Sequence, residues 1–591
     1  MTKSIVAKTW SGITTVGGRV YSDPARAPII ASAILGDAPG TLTSVGSLGS
    51  VPTTIQVSAT LADSPTTLSS SGTLNVTSTM TEAQAARLLN QATMGTSLSS
   101  LSAATGQTYD AWFADQATKT PSTTLAQVTA GKDFLARWCK GAVQGPDQLR
   151  QRMAYALSQI LIVSTSNMTL GLEARSIASF WDMLVNGALG NYRTLLENVS
   201  KHPAMGIFLS HWKNEKPDPV TGRHADENYA REIMQLFSVG LVELNMDGTV
   251  KLSGGNPIPT YTQAHVEGAA RVFTGWGSAP ANYASGSQES WMYDNNLWDP
   301  MIAFQTYHDT DSKFVIGNNT LPAGRTAQQD LTAFLDILFA HPNVAPFISK
   351  ALIQLLICSN PSPAYVERVA TVFADNGSGV RGDLLAVAKA IFTDVEARTP
   401  HTTGKLREPV MKIVNLWRAF DAADPNGEFE DPLLKYYMMY NLAQQPMSSP
   451  SVFNFYRPDY VRAGPIKNAG LVCPEFQITN EKYVCTVPNM IQRLAYNWES
   501  STGVKNGDPN YGGNPEVEDV LCKTAAWESL AANSANLIDK LNTVLMQGLM
   551  PTAMRTSLIN YSNGISSGTP WARAIETASL IINSAQYTVQ R

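Results

Sequence analysis

From residue 81 onward the chain is dominated by apolar residues at three- and four-residue spacing, the pattern of helices that bury one face. Thr81, followed three positions later by Gln84, is a capping-box pattern opening an Ala/Leu-rich helix, with Gly95 as its stop. Further helices are predicted over residues 149–161, 176–185, 192–199, 327–339, 345–356, 364–374, 382–392, 410–419, 520–534 and 572–582. Strand patterns are sparse here. Two stretches, 277–325 and 444–516, interrupt the periodicity with Gly, Pro, Asn and aromatic residues, and loops this long usually form functional surfaces or covering lids. The expected fold class is mainly α: a large multi-helix body over 80–591 with long irregular loops, subdivided if anywhere near 420–445.

Residues 1–79 follow a different pattern. They are rich in Thr, Ser, Gly and Val, with short alternating segments broken by Gly and Pro, which reads as strands and turns. Residues 31–48 and 57–74 match at ten of eighteen positions at an offset of twenty-six. Two units are too few for a solenoid, so a small β-rich amino-terminal module is expected.

Composition narrows the function classes. Apolar residues make up 44% of 591 and charged residues only 15%, well under the usual quarter. A net charge of −5 without a basic block gives no cationic patch for nucleic acid. No apolar run reaches the ~18 residues of a membrane span. Cys139, Cys358, Cys473, Cys485 and Cys522 show no CxxC spacing, which argues against a zinc knuckle. Cys139 and Cys358 fall in apolar helical runs, whereas Cys473 and Cys485 lie in the second irregular stretch, where an exported protein would have the option of a disulfide. The first twenty residues lack the continuous apolar segment of a signal peptide.

The densest polar constellation is residues 224–241, HADENYAREIMQLFSVGL. Asp226 is the expected N-cap and Gly240 the stop, with Tyr229, Ile233, Leu236 and Phe237 as the buried stripe. Helical spacing lines up Asn228, Glu232 and Gln235 on another side, with Glu227 and Arg231 beside them. A second helix after Thr262 carries His265 in its first turn, where the helix dipole disfavours imidazolium, then Glu267 and Arg271. His308, Asp309, Asp311 and Lys313 form a third cluster. The catalytic candidates are therefore Glu227, Arg231, Glu232, His265, His308 and Asp309. If a divalent metal is bound, His224, Glu232, His265 and His308 are its candidate ligands. Each group also has an ordinary structural reading as a cap, an i, i+4 pair or a packed histidine.

Several segments carry a family resemblance: GNYRTLLENV (190–199), HPAMGIFLSHWKN (202–214), DENYAREIMQLFSVGL (226–241), PTYTQ (259–263), RVFTGW (271–276), SNPSPAYVERVA (359–370), GKLREPV (404–410) and PSVFNFYRPDY (450–460). Together they resemble the bacterial family called domain of unknown function 1800, over residues 81–591. The resemblance implies a helical protein, usually exported, often encoded beside a sulfatase-like protein that is a candidate partner. It supplies no established catalytic residues. The family usually has Asp where this chain has His265, which weakens any mechanism needing a carboxylate there.

Three functions follow as expectations. The first is an exported or envelope-associated enzyme acting on an extracellular polymer, a glycan, with carboxylates and histidines as acid and base. The second is a non-catalytic surface or assembly protein whose module at 1–79 joins subunits into a homo-oligomer. The third is a metal-dependent oxidoreductase. Without a leader in this sequence, a cytoplasmic location is the alternative to export.

Overall fold

The side chain of Thr81 accepts the backbone N–H of Gln84, and the Gln84 amide oxygen accepts the N–H of Thr81. This reciprocal cap starts helix α1 (Glu82–Ala92). The computed structural model describes residues 79–128, 134–400, 404–501, 504–505 and 520–591, together with the extended segments 29–35, 53–61 and 67–74. The amino-terminal module expected over 1–79 otherwise lies outside the described residues. Helix accounts for 54% and strand for 7%, so the fold is mainly α. Residues 81–105 and 113–591 make one compact unit.

The helices that frame the body begin where local chemistry allows. They are α2 (Gln148–Leu157), α3 (Ala174–Gly187), α4 (Tyr192–Ser200), α5 (Asn228–Gln235), α6 (Gln263–Val272), α7 (Ala327–Ala340) and α8 (Val344–Leu356). They continue with α9 (Pro363–Ala374), α10 (Leu384–Thr393) and α11 (Pro409–Ala419). Proline opens α9 and α11, where its missing N–H costs nothing. Asn191 and Asp383 cap α4 and α10 with side-chain oxygens. Successive helices α8, α9 and α10 pack together, as do α2 with α3 and α5 with α6. Leu352, Ile353 and Leu356 on α8 are fully buried, each contributing about 1.5–3 kcal/mol.

The strands described in the body are short. Lys313–Val315 (β1) and Asn319–Leu321 (β2) form a hairpin against α6. The approach is so close that a Cβ on Gly268 would meet the carbonyl oxygen of Phe314 at 1.7 Å. Lys405–Leu406 (β3) pairs antiparallel with Val589–Gln590 (β4), which ties the chain end to the start of α11.

Two expectations are corrected. Residues 520–534 are not one helix, because Cys522–Lys523 is a strand and α13 covers Ala525–Ala531. The stretch 444–516 contains α12 (Glu481–Ala495), capped by Asn480 and buried along Val487, Met490, Ile491 and Leu494. Pro488 inside it disguises the helix. No disulfide joins Cys473, which is buried, to Cys485, which is exposed on α12. Among the described residues, no single helix is long and apolar enough to cross a membrane.

Candidate active site

Helix α5 starts later than its pattern suggests. Glu227 occupies the cap, while Asp226 accepts the N–H of Asn228. Arg231 bonds Glu227 at 2.9 Å, and Gln263 at the start of α6 bridges both, accepting from Arg231 at 3.1 Å and donating to Glu227 at 2.9 Å. That pair is a half-exposed clamp between helices. Glu232 takes no part in that clamp. It is buried, its Oε2 has no hydrogen-bond partner, and burial raises its carboxyl above the ordinary value against the opposing pull of Arg231. Tyr261 has a buried hydroxyl without a partner, and its pKa is raised by burial and, against Arg231, by Glu232. His265 accepts the N–H of Thr262 at Nδ1, packs its ring 4.8 Å from that of Phe314, and leaves Nε2 buried and unbonded.

His308 and Asp309 belong to a separate cluster at the other end of α6. His265 and Arg271 are six residues apart, about 9 Å along the helix axis. Arg271 grips Asp309 through Nε at 2.6 Å and Nη2 at 2.9 Å. The fully buried His308 meets the Thr274 carbonyl at 2.9 Å and Asp330 Oδ2 at 3.2 Å. Asp330 also takes Lys313 at 2.7 Å and Arg325 at 2.8 Å. Burial works to raise the carboxyls of Asp309 and Asp330, but their cationic partners win and hold both below the ordinary value. This cluster is saturated by its own hydrogen bonds. It clasps the β1–β2 hairpin and α7 to α6.

The nominated residues thus divide in two. His224 is exposed ahead of α5. His224, Glu232, His265 and His308 do not gather as ligands: among the described residues, no three His, Cys, Asp or Glu side chains are placed to share an ion.

A third constellation joins the 404–410 and 450–460 segments to Tyr155, Gln159, Gln444 and Glu475. Glu408, the residue before α11, is buried. Its Oε1 accepts from Gln444 at 2.6 Å, Tyr456 at 2.8 Å and Tyr155 at 3.3 Å, while Oε2 has no partner. Tyr456 also reaches Gln159 at 3.0 Å, and Asn454 donates to the same oxygen of Gln159 at 3.0 Å. Glu475 is 2% exposed, paired through Oε1 with the Lys405 ammonium at 3.1 Å, and free at Oε2. Burial pushes the Glu475 carboxyl up. Lys405 pulls it down, and the charge of Glu408 adds to the rise.

Glu475, Tyr456, Gln159 and Asn454 border a largely apolar cleft of about 120 Å³, with Leu236 and Phe347 among its walls. Ala443, Met447 and Asn454 have left-handed backbones with φ of 57°, 57° and 67°. Such strain in non-glycine residues gathers at functional sites.

Residues 87–589 match the family described as "Protein of unknown function (DUF1800)". The chain belongs to the DUF1800 family. No curated protein matches this chain, and no solved structure does. The DUF1800 region contains all three constellations, and the cleft draws on its 450–460 segment, while Lys405 and Glu408 of the 404–410 segment bond Glu475 and Tyr456. Arrays of buried tyrosines and carboxylates have no local spacing signature, which is why Glu408, Tyr456 and Glu475 escaped the sequence reading. The only local signal was polar residues, Lys405 and Glu408, within a buried-type segment.

Proposed function

We propose that the protein is an enzyme acting on an extracellular polymer, with the cleft holding one unit of the chain and Glu475 as the proton donor. The observation that carries this reading is the buried carboxyl of Glu475, a residue that lines the cleft and whose Oε2 has no hydrogen-bond partner. A carboxyl whose pKa is raised by burial holds its proton to higher pH than a free one and can give it to a leaving group. Lys405 fixes its orientation, and Glu408 opposes its ionisation. A glycan unit fits the mixture of aromatic surface from Phe453 and Tyr456 with polar groups from Gln159 and Asn454. On this reading the acid belongs to 405–475 and not to the groups at 227–309. Leu236, just beyond α5, contributes a wall rather than chemistry.

The test is reducing-end release from a panel of neutral, amino-sugar and sulfated polysaccharides, comparing wild type with Glu475→Gln. Turnover by the wild type and at least a hundredfold loss in the variant are expected. No turnover on any polymer, or full activity in the variant, overturns the reading.

A second reading assigns subunit assembly to the amino-terminal residues. Its support is the pairing of residues 29–35 with 53–61, which sets Ala31 opposite Val57. That is the twenty-six-residue offset of the repeat. Deleting residues 1–79 should dissolve oligomers seen by light scattering, and unchanged assembly of the truncated chain would exclude it.

A further inference from the structure

Away from the cleft, Arg407 is a buried cation with no ion pair among the described residues. Arg407 is 8% exposed, donates Nε–H to the Tyr587 carbonyl at 2.9 Å and lies over the Tyr587 ring at 4.6 Å. Among the described residues its two terminal nitrogens have no hydrogen-bond partner, and no carboxylate acts on its charge. Arg407 borders a cavity of about 220 Å³ formed with Gln547, Leu549, Gln586 and Arg591. Arg407 is the buried cation among the side chains that line it, and none of them is acidic.

The surroundings favour negative charge in this space. Gln547 commits its amide oxygen to Arg87 at 3.1 Å, which leaves its N–H groups as the donors available to the cavity. Lys412 is buried close behind, donating to Thr588 at 2.8 Å. Burial and then Arg407 depress its pKa to about 8. A guanidinium removed from water without a counter-charge is costly, and a planar fork of free N–H groups suits two oxygens of one ligand.

We propose that this cavity is a binding site for a small oxyanion group, a carboxylate, phosphate or sulfate, gripped by Arg407 with Gln547 as a further donor. The site is separate from the proposed acid–base cleft and does not depend on it. Lys405 and Glu408 serve the cleft, whereas Arg407 between them serves the cavity beneath the chain's last residues.

The experiment is isothermal titration of the full chain with sodium acetate, inorganic phosphate and sodium sulfate at constant ionic strength, chloride being the reference anion. Saturable one-to-one binding of at least one oxyanion is expected, and the ranking among the three identifies the class. Arg407→Met should weaken it at least tenfold, and Arg457→Gln on the exposed surface should leave it unchanged. Because Arg407 is buried, Gln586→Glu provides a variant at an exposed lining position. Its carboxylate should occupy the site and abolish oxyanion binding. The proposal is overturned if no oxyanion saturates the protein, or if binding survives in Gln586→Glu or in a folded Arg407→Met.

Discussion

Lys405 Nζ stands 3.1 Å from Glu475 Oε1, with both side chains about 3% exposed. Lys405 also donates to the Leu355 carbonyl at 2.8 Å, so the ammonium is fixed from two sides. A buried pair adds little net stability against an apolar substitute, yet removing one partner strands the other. Lys405→Met should therefore cost about 3–5 kcal/mol, measured by denaturant unfolding. The double variant Lys405→Met/Glu475→Leu should recover much of that loss. If it does not, the pair is not the source of the effect.

Glu475 also sets a pH dependence. Its folded carboxyl is raised above the ordinary value of 4.5, so its contribution is fully present below that pH and is lost as pH rises through the folded value. Glu475→Gln removes the ionisation. Relative to this variant, the wild type should lose stability with increasing pH above about 4.5. Parallel stability curves for the two proteins would rule out the raised carboxyl.

Glu232 follows the same sign for a simpler reason. Burial raises its carboxyl, and its Oε2 has no partner to satisfy. Glu232→Gln should leave stability unchanged or improve it by up to about 1 kcal/mol at pH 7, with the gain shrinking as the pH is lowered. If Glu232 has a hydrogen-bond role, thermal melting will show a loss instead.

The clasp between α6 and α7 behaves oppositely. Asp330 holds His308, Lys313 and Arg325, and its carboxyl is depressed below 3.8. Its contribution is present above that value and disappears as pH falls through the depressed one. Asp330→Asn should destabilise the fold by about 3–5 kcal/mol, without changing the pH profile of any turnover at the cleft. A shifted profile would show that the cluster takes part in chemistry.

Gly268 tests packing alone. An added methyl collides with the Phe314 carbonyl, a backbone atom that the hairpin cannot move independently. Gly268→Ala should cost about 3 kcal/mol, the upper part of the usual range for overpacking. A neutral result in calorimetry would mean that β1 separates from α6 easily.

Much of the secondary structure is legible in the chain because its causes are local. The apolar spacing of residues 327–339 and 345–356 becomes α7 and α8, and Thr81 with Gln84 caps α1 as the spacing implies. The Glu227–Arg231 pair is equally local, since one turn of helix brings the two side chains together. Pro488 hid α12 because tertiary burial of its apolar stripe outweighed a breaker that the sequence pattern treats as decisive.

What the sequence alone determined is a helical body and a set of polar residues within it, through periodicity, caps and breakers that act over a few residues. Only the tertiary structure decided which polar groups are spent and which are free. His308 and Asp309 are consumed by Arg271, Lys313 and Asp330, whereas Glu475 meets Lys405 and faces a cleft containing Gln159 and Tyr456. Those partners come from distant parts of the chain, and no local periodicity encodes their meeting. Burial and hydrogen-bond satisfaction belong to the packed core, so the free oxygen of Glu475 exists only once the core has formed.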